Sequence, residues 1–176
     1  MKQLTLLSLI FTLVSAPAIA EGMYVGVKLG QANYDYSNVT NNEQSAFGFL
    51  AGFVINENAA IEVEYNNLGG FDNATSNISG SAFSLSGTGS IPLNSQFSLF
   101  GKLGLASTTL KDKAKPGFVG GDISHANTGL NMGLGVQYNI SPIAGVRAGL
   151  DSFKAGNSNT GTGRARMLYV GALFKI

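Results

Sequence analysis

Apolar side chains alternate with small or polar ones along most of the chain from Gly22 onwards. In the clearest run, every second residue from Leu130 to Tyr138 is bulky and apolar, whereas every second residue from Asn131 to Asn139 is small or polar. Successive side chains of a β-strand point to opposite faces, whereas those of a helix return to one face about every 3.6 residues. The pattern therefore predicts strands with one apolar and one polar face.

The same alternation marks eight segments of the chain. Their approximate bounds are 22–34, 45–55, 59–69, 81–91, 96–110, 126–139, 143–154 and 164–176. Segments near eleven residues match the roughly 9 to 11 that a tilted strand needs to cross a bilayer, and eight is the smallest even strand number of typical outer-membrane barrels. We therefore predict an all-β fold, an eight-stranded antiparallel up-and-down transmembrane β-barrel.

The connections between these segments alternate in length. Short turns are predicted at 56–58, 92–95 and 141–142, and longer polar stretches near 35–44, 70–80, 111–125 and 155–163. Outer-membrane barrels have short turns on the periplasmic side and longer loops outside the cell. The spacing thus favours the same architecture.

Residue size indicates which face points inward, because the interior of an eight-stranded barrel is only just wide enough for side chains to fill it. The bulky face comprises Val25, Val27, Leu29, Phe47, Phe49, Phe53, Ile55, Ile61, Val63, Tyr65, Phe97, Leu99, Leu103, Leu105, the 130–138 row, Leu168, Val170, Phe174 and Ile176. The opposite face combines many Gly, Ser and Ala residues with Lys28, Glu62, Glu64, Lys102, Gln137, Arg147, Asp151 and Lys175. We expect the bulky face to meet lipid and the polar set to form an interior ion-pair network rather than an open pore.

The first twenty residues have the features of an export signal. Lys2 precedes an apolar stretch from Leu4 to Val14, and Ala18-Ile19-Ala20 fits a cleavage site. The stretch is too short to span a membrane, which takes about 20 residues. We predict a signal peptide at 1–20, a barrel domain at 21–176 and a location in the bacterial outer membrane.

Composition removes several classes of function. The chain has no Cys and one His, so the usual structural zinc sites and cysteine nucleophiles are unavailable. Without Lys2, the 11 basic residues become 10 and balance the 10 acidic ones, which leaves no basic field for nucleic acid. We predict no cofactor, no metal and no nucleic-acid partner.

Three stretches resemble the OmpA-like family of small outer-membrane barrels, which includes opacity-type proteins. They are 24–30, 46–48 with 61–65, and 141–142 with 145–147. The resemblance covers the mature chain and implies that Glu62, Lys102 and Arg147 are interior ion-pairing residues, with Lys28 and Lys175 pointing the same way. Gln137 stands where this family would place an acid. Barrel-only relatives of this kind imply a role in adhesion, host contact or envelope integrity, without a peptidoglycan-binding domain.

The last strand also resembles the C-terminal assembly signal of that family. Tyr169, Gly171, Phe174 and Ile176 carry the resemblance, although Ile176 stands where an aromatic residue is usual. The resemblance implies recognition by the barrel-assembly machinery. Outer-membrane lipid, lipopolysaccharide and a cell-surface ligand of the loops are the other expected partners, and we expect a monomer.

Three sets of residues could suggest chemistry, and none predicts an enzyme. Ser124 and His125 are adjacent and therefore point to opposite faces of a strand, while Asn127 stands where lipid A deacylases have their nucleophilic serine. Glu62 and Glu64 lie on one face, but interior cations are their expected neighbours. Residues 111–115, Lys-Asp-Lys-Ala-Lys, give the third loop a local positive charge that suits a solvated tip or contact with phosphates.

Two alternatives to a structural or surface-interaction role remain open from the sequence. A narrow channel would exist if the interior network opened. A periplasmic lipocalin-like carrier would exist if the apolar face pointed inward.

Overall fold

A computed structural model describes residues 22–35, 43–72, 76–114, 123–155 and 163–176. In these ranges the backbone forms eight strands, each antiparallel to its neighbours in sequence, and β1 pairs with β8 to close a barrel. The strands are β1 Met23–Asp35, β2 Glu43–Asn56, β3 Ala59–Asp72, β4 Ser76–Pro92, β5 Phe97–Ala114, β6 Ile123–Asn139, β7 Ala144–Ala155 and β8 Gly163–Lys175. The predicted fold class is confirmed. None of the described residues lies in an apolar helix of membrane-spanning length.

Three tight turns lie at one end of the barrel, which we call the turn end, and each is closed by a polar side chain. Asn56 Oδ1 accepts the N–H of Asn58 at 2.9 Å, and Asn94 Oδ1 accepts the N–H groups of Gln96 and Phe97. Ser141 Oγ accepts the N–H of Ala144 at 3.1 Å. Such side chains replace the missing backbone partners of a turn. The three short connections predicted from the sequence are therefore confirmed, and their polar residues stabilise them.

The strands at the opposite end, which we call the loop end, are longer than predicted. The described residues of the polar stretches predicted as loops near 70–80 and 111–125 are strand, because β3 and β4 pair as far as Asp72↔Asn77, β5 reaches Ala114 and β6 begins at Ile123. Residues there do not alternate in polarity, so the period-2 signal fades while the backbone continues to pair. Residues 36–42, 73–75, 115–122 and 156–162 lie outside the described part of the chain, as do residues 1–21 with the predicted signal peptide.

Large apolar side chains cover the outside of the barrel. Leu29, Leu134, Leu168 and Val170 are each more than 60% exposed, and Phe97 packs on Tyr138 with ring centroids 4.7 Å apart. An apolar belt of this kind is stable in hydrocarbon and unfavourable in water. The predicted orientation is confirmed, and the lipocalin-like alternative, which needs the apolar face inside, is wrong.

Candidate functional site

Four charged side chains meet in the middle of the barrel, and we call them the four-charge ring. They are Lys28 of β1, Glu64 of β3, Lys102 of β5 and Asp151 of β7, one from every second strand. Glycine occupies neighbouring inward positions, and a Cβ at Gly133 would collide with both Asp151 and Lys102. The small residues on the strands between therefore leave the space that the long charged side chains fill.

Every member of the four-charge ring contacts both members of opposite charge. Lys28 Nζ lies 2.9 Å from Glu64 Oε2 and 2.9 Å from Asp151 Oδ2. Lys102 Nζ lies 2.6 Å from Glu64 Oε1 and 2.8 Å from Asp151 Oδ2. The side chains are at most 1% exposed. Buried charges are tolerated when they are paired and hydrogen-bonded, and this ring meets that condition twice for each charge.

An aromatic ring covers the two ammonium groups. Tyr169 of β8 is 2% exposed, and its ring centroid lies 4.6 Å from Lys28 Nζ and 5.8 Å from Lys102 Nζ. Its negative face attracts cations, an effect that is stronger where water is absent. Tyr169 therefore supports the lysines in addition to any role in the predicted assembly signal.

A second polar group, the arginine cluster, lies nearer the turn end. Arg147 Nη1 lies 2.7 Å from Glu62 Oε1, and the hydroxyl of Tyr24 donates a short hydrogen bond to the same oxygen. Gln137 Oε1 accepts hydrogen bonds from Arg147 Nη2 at 3.0 Å and Nε at 3.3 Å. The guanidinium carbon lies 4.3 Å from the ring centroid of Phe100. One ion pair is thus supported by neutral polar and aromatic groups.

Apolar side chains fill the interior toward the loop end. Leu68, Phe153 and Met167 are each 0% exposed and pack with a set of small residues. That set is Ala32, Ala46, Ala82, Ala106 and Ala165. Between this apolar layer and the four-charge ring, Asn131 Nδ2 donates to Ser86 Oγ at 2.9 Å. In the described residues the lumen is therefore filled from the four-charge ring toward the loop end.

The turn end contains a cavity of about 230 Å³. Arg147, Gln137 and Thr88 line its inner part, and Lys175 lines its rim. Lys175 is exposed and does not join the buried network, so its predicted place there is wrong. It lies on the inward-facing side of β8, but at the last strand residue, beyond the level at which the barrel excludes water.

Without Lys175, the buried charges among the described residues balance. Lys28, Lys102 and Arg147 face Glu62, Glu64 and Asp151, which gives three positive and three negative groups. The sequence predicted four basic residues against three acidic ones. A buried excess charge is costly, and the structure avoids it by leaving one lysine in solvent.

The resemblance implied the right residues for ion pairing but not the pairs. Glu62 bonds Arg147, whereas Lys102 bonds Glu64 and Asp151. Both glutamates form ion pairs with interior cations, as the sequence predicts for them. Among the described residues, no three acidic or histidine side chains are grouped to hold a metal ion.

The other candidate residues lie at the loop end or at the closing strand. The backbone of His125 in β6 pairs with that of Leu110 in β5. The side chains of Ser124 and His125 lie outside the described part of the chain. Lys111 is exposed. Gly171 faces inward beside Lys28, while Phe174 and Ile176 are outside, at 52% and 44% exposed. The assembly signal stays a prediction.

Large interior side chains are what the sequence reasoning missed. Tyr24, Phe100, Phe153 and Met167 are buried among residues predicted to be small or charged. Their positions share the parity of Lys28, Lys102, Asp151 and Tyr169. Extending that parity along each strand would have identified them.

Comparisons with known proteins agree with this architecture. Residues 4–175 match the family described as outer membrane protein beta-barrel domain. No curated protein sequence matches the chain significantly.

Among solved structures, Neisserial surface protein A has a TM-score of 0.76 at 19% identity, covering 89% of this chain and 98% of that one. Ail, the attachment invasion locus protein of Yersinia pestis, has a TM-score of 0.64 at 17% identity, covering 88% and 98%, and was also solved with the heparin analogue sucrose octasulfate. The N-terminal barrel of Pseudomonas aeruginosa OprF has a TM-score of 0.60 at 15% identity, covering 86% and 96%. At such identities these likenesses concern the fold.

Proposed function

Because the chain belongs to the outer membrane protein β-barrel domain family, we propose that it acts as a surface-interaction protein whose contacts are made at the loop end. The observation that supports this most is that ion pairs and apolar side chains block the lumen in the described residues, since a barrel without an open lumen has its ends and its lipid face as the surfaces for function. The loop end faces outside the cell if the short turns are periplasmic, as in bacterial barrels.

Adhesion is the form of interaction that we propose. One structural neighbour is an attachment and invasion protein and another is a surface protein, and both share this barrel. Segments joining rigid strands are free to vary in sequence without disturbing the fold, which suits recognition of a cell surface. Catalysis plays no part in the proposal.

Cell attachment tests this function. The full chain would be displayed in a bacterium that lacks its own adhesins, with segments 36–42 and 156–162 replaced by Gly-Ser sequences of equal length. We expect the wild-type chain to promote attachment to cultured cells or to matrix proteins, and the replaced chain to lose it. Replacement of Glu57 and Asn58, in a turn at the other end of the barrel, is the matched control. We expect it to leave attachment intact.

Two results would contradict adhesion. One is equal attachment after all four loop-end segments are replaced, and the other is no gain over bacteria without the protein. Recovery of each variant in the outer-membrane fraction shows that loss of attachment is not loss of assembly.

A narrow channel is the second candidate, because the cavity of about 230 Å³ opens the turn end as far as Arg147. Conduction would require the four-charge ring and the apolar layer to move apart. Planar-bilayer recording of the purified barrel separates the two functions, since a filled lumen predicts no stable unitary conductance. Steady single-channel steps would favour the channel.

A further inference from the structure

The exposed charged side chains among the described residues are confined to the two ends of the barrel. Among the described side chains beyond the interior network, Glu57 and Lys175 lie at the turn end, and five lie at the loop end. These five are Glu43, Lys111, Lys154, Arg164 and Arg166, all exposed. Arg164 and Arg166 stand two residues apart on the outward face of β8, because Gly163, Ala165 and Met167 between and beside them are buried.

The depth of the two arginines in the membrane follows from their positions along β8. Outward positions of β8 from Ile176 to Leu168 are all apolar, and Leu168 is 63% exposed. Eight residues span about 27 Å along a strand, or about 20 Å of height at a tilt near 40°, against an apolar band of about 25 Å. Arg166 therefore lies at the edge of the hydrocarbon, and Arg164 lies about 5 Å further out.

Polar groups flank the arginines on both neighbouring strands. The backbone of Arg166 pairs with Asn33 of β1 and with Ser152 of β7, and the backbone of Arg164 pairs with Asp35 and with Lys154. Glu43, the backbone partner of Asn33, lies two strands from Arg166. Among the described side chains of this face, three cations, Lys154, Arg164 and Arg166, stand against one acid, Glu43, and give a net positive charge above an apolar wall.

We propose that Arg164 and Arg166 bind the phosphate of an anionic lipid headgroup in the adjacent leaflet of the membrane. The planar guanidinium group matches phosphate with two parallel hydrogen bonds, and Asn33 and Ser152 add neutral donors. Leu168 of β8 and its backbone partner Leu150 of β7 stand one row below Arg166 and Ser152 and contact the acyl chains of the same lipid. This site is independent of the adhesive role proposed for the loop-end segments.

A lipid fits this face better than a soluble polyanion because the cationic and apolar surfaces are continuous. A soluble anion would contact the arginines alone. A lipid places its phosphate at the arginines and its chains on the wall at the same time.

Lipid binding to the full chain in detergent micelles tests the proposal. Native mass spectrometry would compare lipid A that carries its phosphates with lipid A from which they were removed. The double variant R164Q/R166Q should bind the phosphorylated lipid roughly 30-fold more weakly, since each cation near an anionic surface contributes about 1 kcal/mol and 1.4 kcal/mol is about tenfold. Lys175→Gln, which removes an exposed cation at the turn end, is the control and should bind as the wild type does.

The pair R164K/R166K keeps both charges but loses the planar donors, and we expect intermediate binding. Heat-modified gel mobility verifies that each variant is folded. Equal binding of dephosphorylated lipid A, or unchanged binding by R164Q/R166Q, would overturn the proposal. So would tight binding of sucrose octasulfate that depends on the two arginines while lipid binding does not, because the site would then serve a soluble polyanion.

Discussion

The four-charge ring and the arginine cluster contain the same kinds of groups but are stabilised differently. In the ring, each charge contacts two opposite charges and no side chain is more than 1% exposed. In the cluster, Arg147 has one acidic partner, Glu62, together with Gln137, and it borders the cavity at the turn end. The ring depends on mutual pairing, whereas the cluster has neutral hydrogen bonds and nearby space for water.

This difference implies that removal of one charge is more harmful in the ring. A lone excess charge in a dry interior has no way to recover solvation, and breaking a buried pair typically costs about 3 to 5 kcal/mol. Next to a cavity, a group left without its partner can be hydrated, so the cost is lower. Four substitutions test this contrast in one assay, the free energy of unfolding by urea of the chain refolded into lipid vesicles.

Glu64→Gln should have the largest effect, a loss of about 3 to 5 kcal/mol, because Lys28 and Lys102 are left to share Asp151. The double variant E64Q/K102M restores neutrality and should be more stable than the single variant. A loss below about 1 kcal/mol for Glu64→Gln would mean that the ring is hydrated and unlike our description of it.

Glu62→Gln should cost about 2 kcal/mol, because its amide oxygen still accepts hydrogen bonds from Arg147 and Tyr24 while the cavity hydrates the cation. The same unfolding measurement compares it with Glu64→Gln. Equal losses for the two glutamates would remove the contrast between the two groups.

Gly133→Ala should cost about 1 kcal/mol, since its new methyl group would meet Asp151 Oδ1 and Lys102 Cε. Gly89→Ala is the matched control, because nothing lies within 4 Å of the corresponding position there. The difference between the two variants measures how tightly the ring is packed. No difference would show that the ring can shift to admit a methyl group.

Lys175→Gln should change the free energy of unfolding by less than about 0.5 kcal/mol, because its side chain is exposed at the rim. Urea unfolding at low and high salt checks it. A larger loss would place Lys175 in the buried network after all and would spoil the three-to-three charge balance.

The alternation of residue size was sufficient to predict the fold and the inside and outside of each strand. Leu134 is 66% exposed and Gln137 bonds Arg147 inside the barrel, as the parity of the 130–139 segment requires. The physical reason is simple, since a strand has two faces and only one of them tolerates bulk in a narrow lumen. The prediction of the strand ends failed where polar residues occur on both faces, as in residues 76–80 of β4.

Pairing partners could not be predicted, because they depend on the stagger between strands. Parity places Glu62 and Glu64 on the same face but does not say which cation reaches which carboxylate. Lys102 bonds Glu64 rather than Glu62 because the register sets its height. The alternation is limited in the same way at Lys175. It predicts that the side chain points inward, but not whether the residue lies beyond the packed part of the barrel.

The bond between Lys28 and Asp151 joins β1 to β7 across the seam where β8 meets β1. Any partly inserted sheet in which that seam is still open lacks this bond, and the opposing charges of its first and seventh strands stay apart. Closure of the seam is therefore stabilised by this ion pair as well as by backbone hydrogen bonds. In this protein the polar lumen favours the final circular arrangement over every open sheet that precedes it.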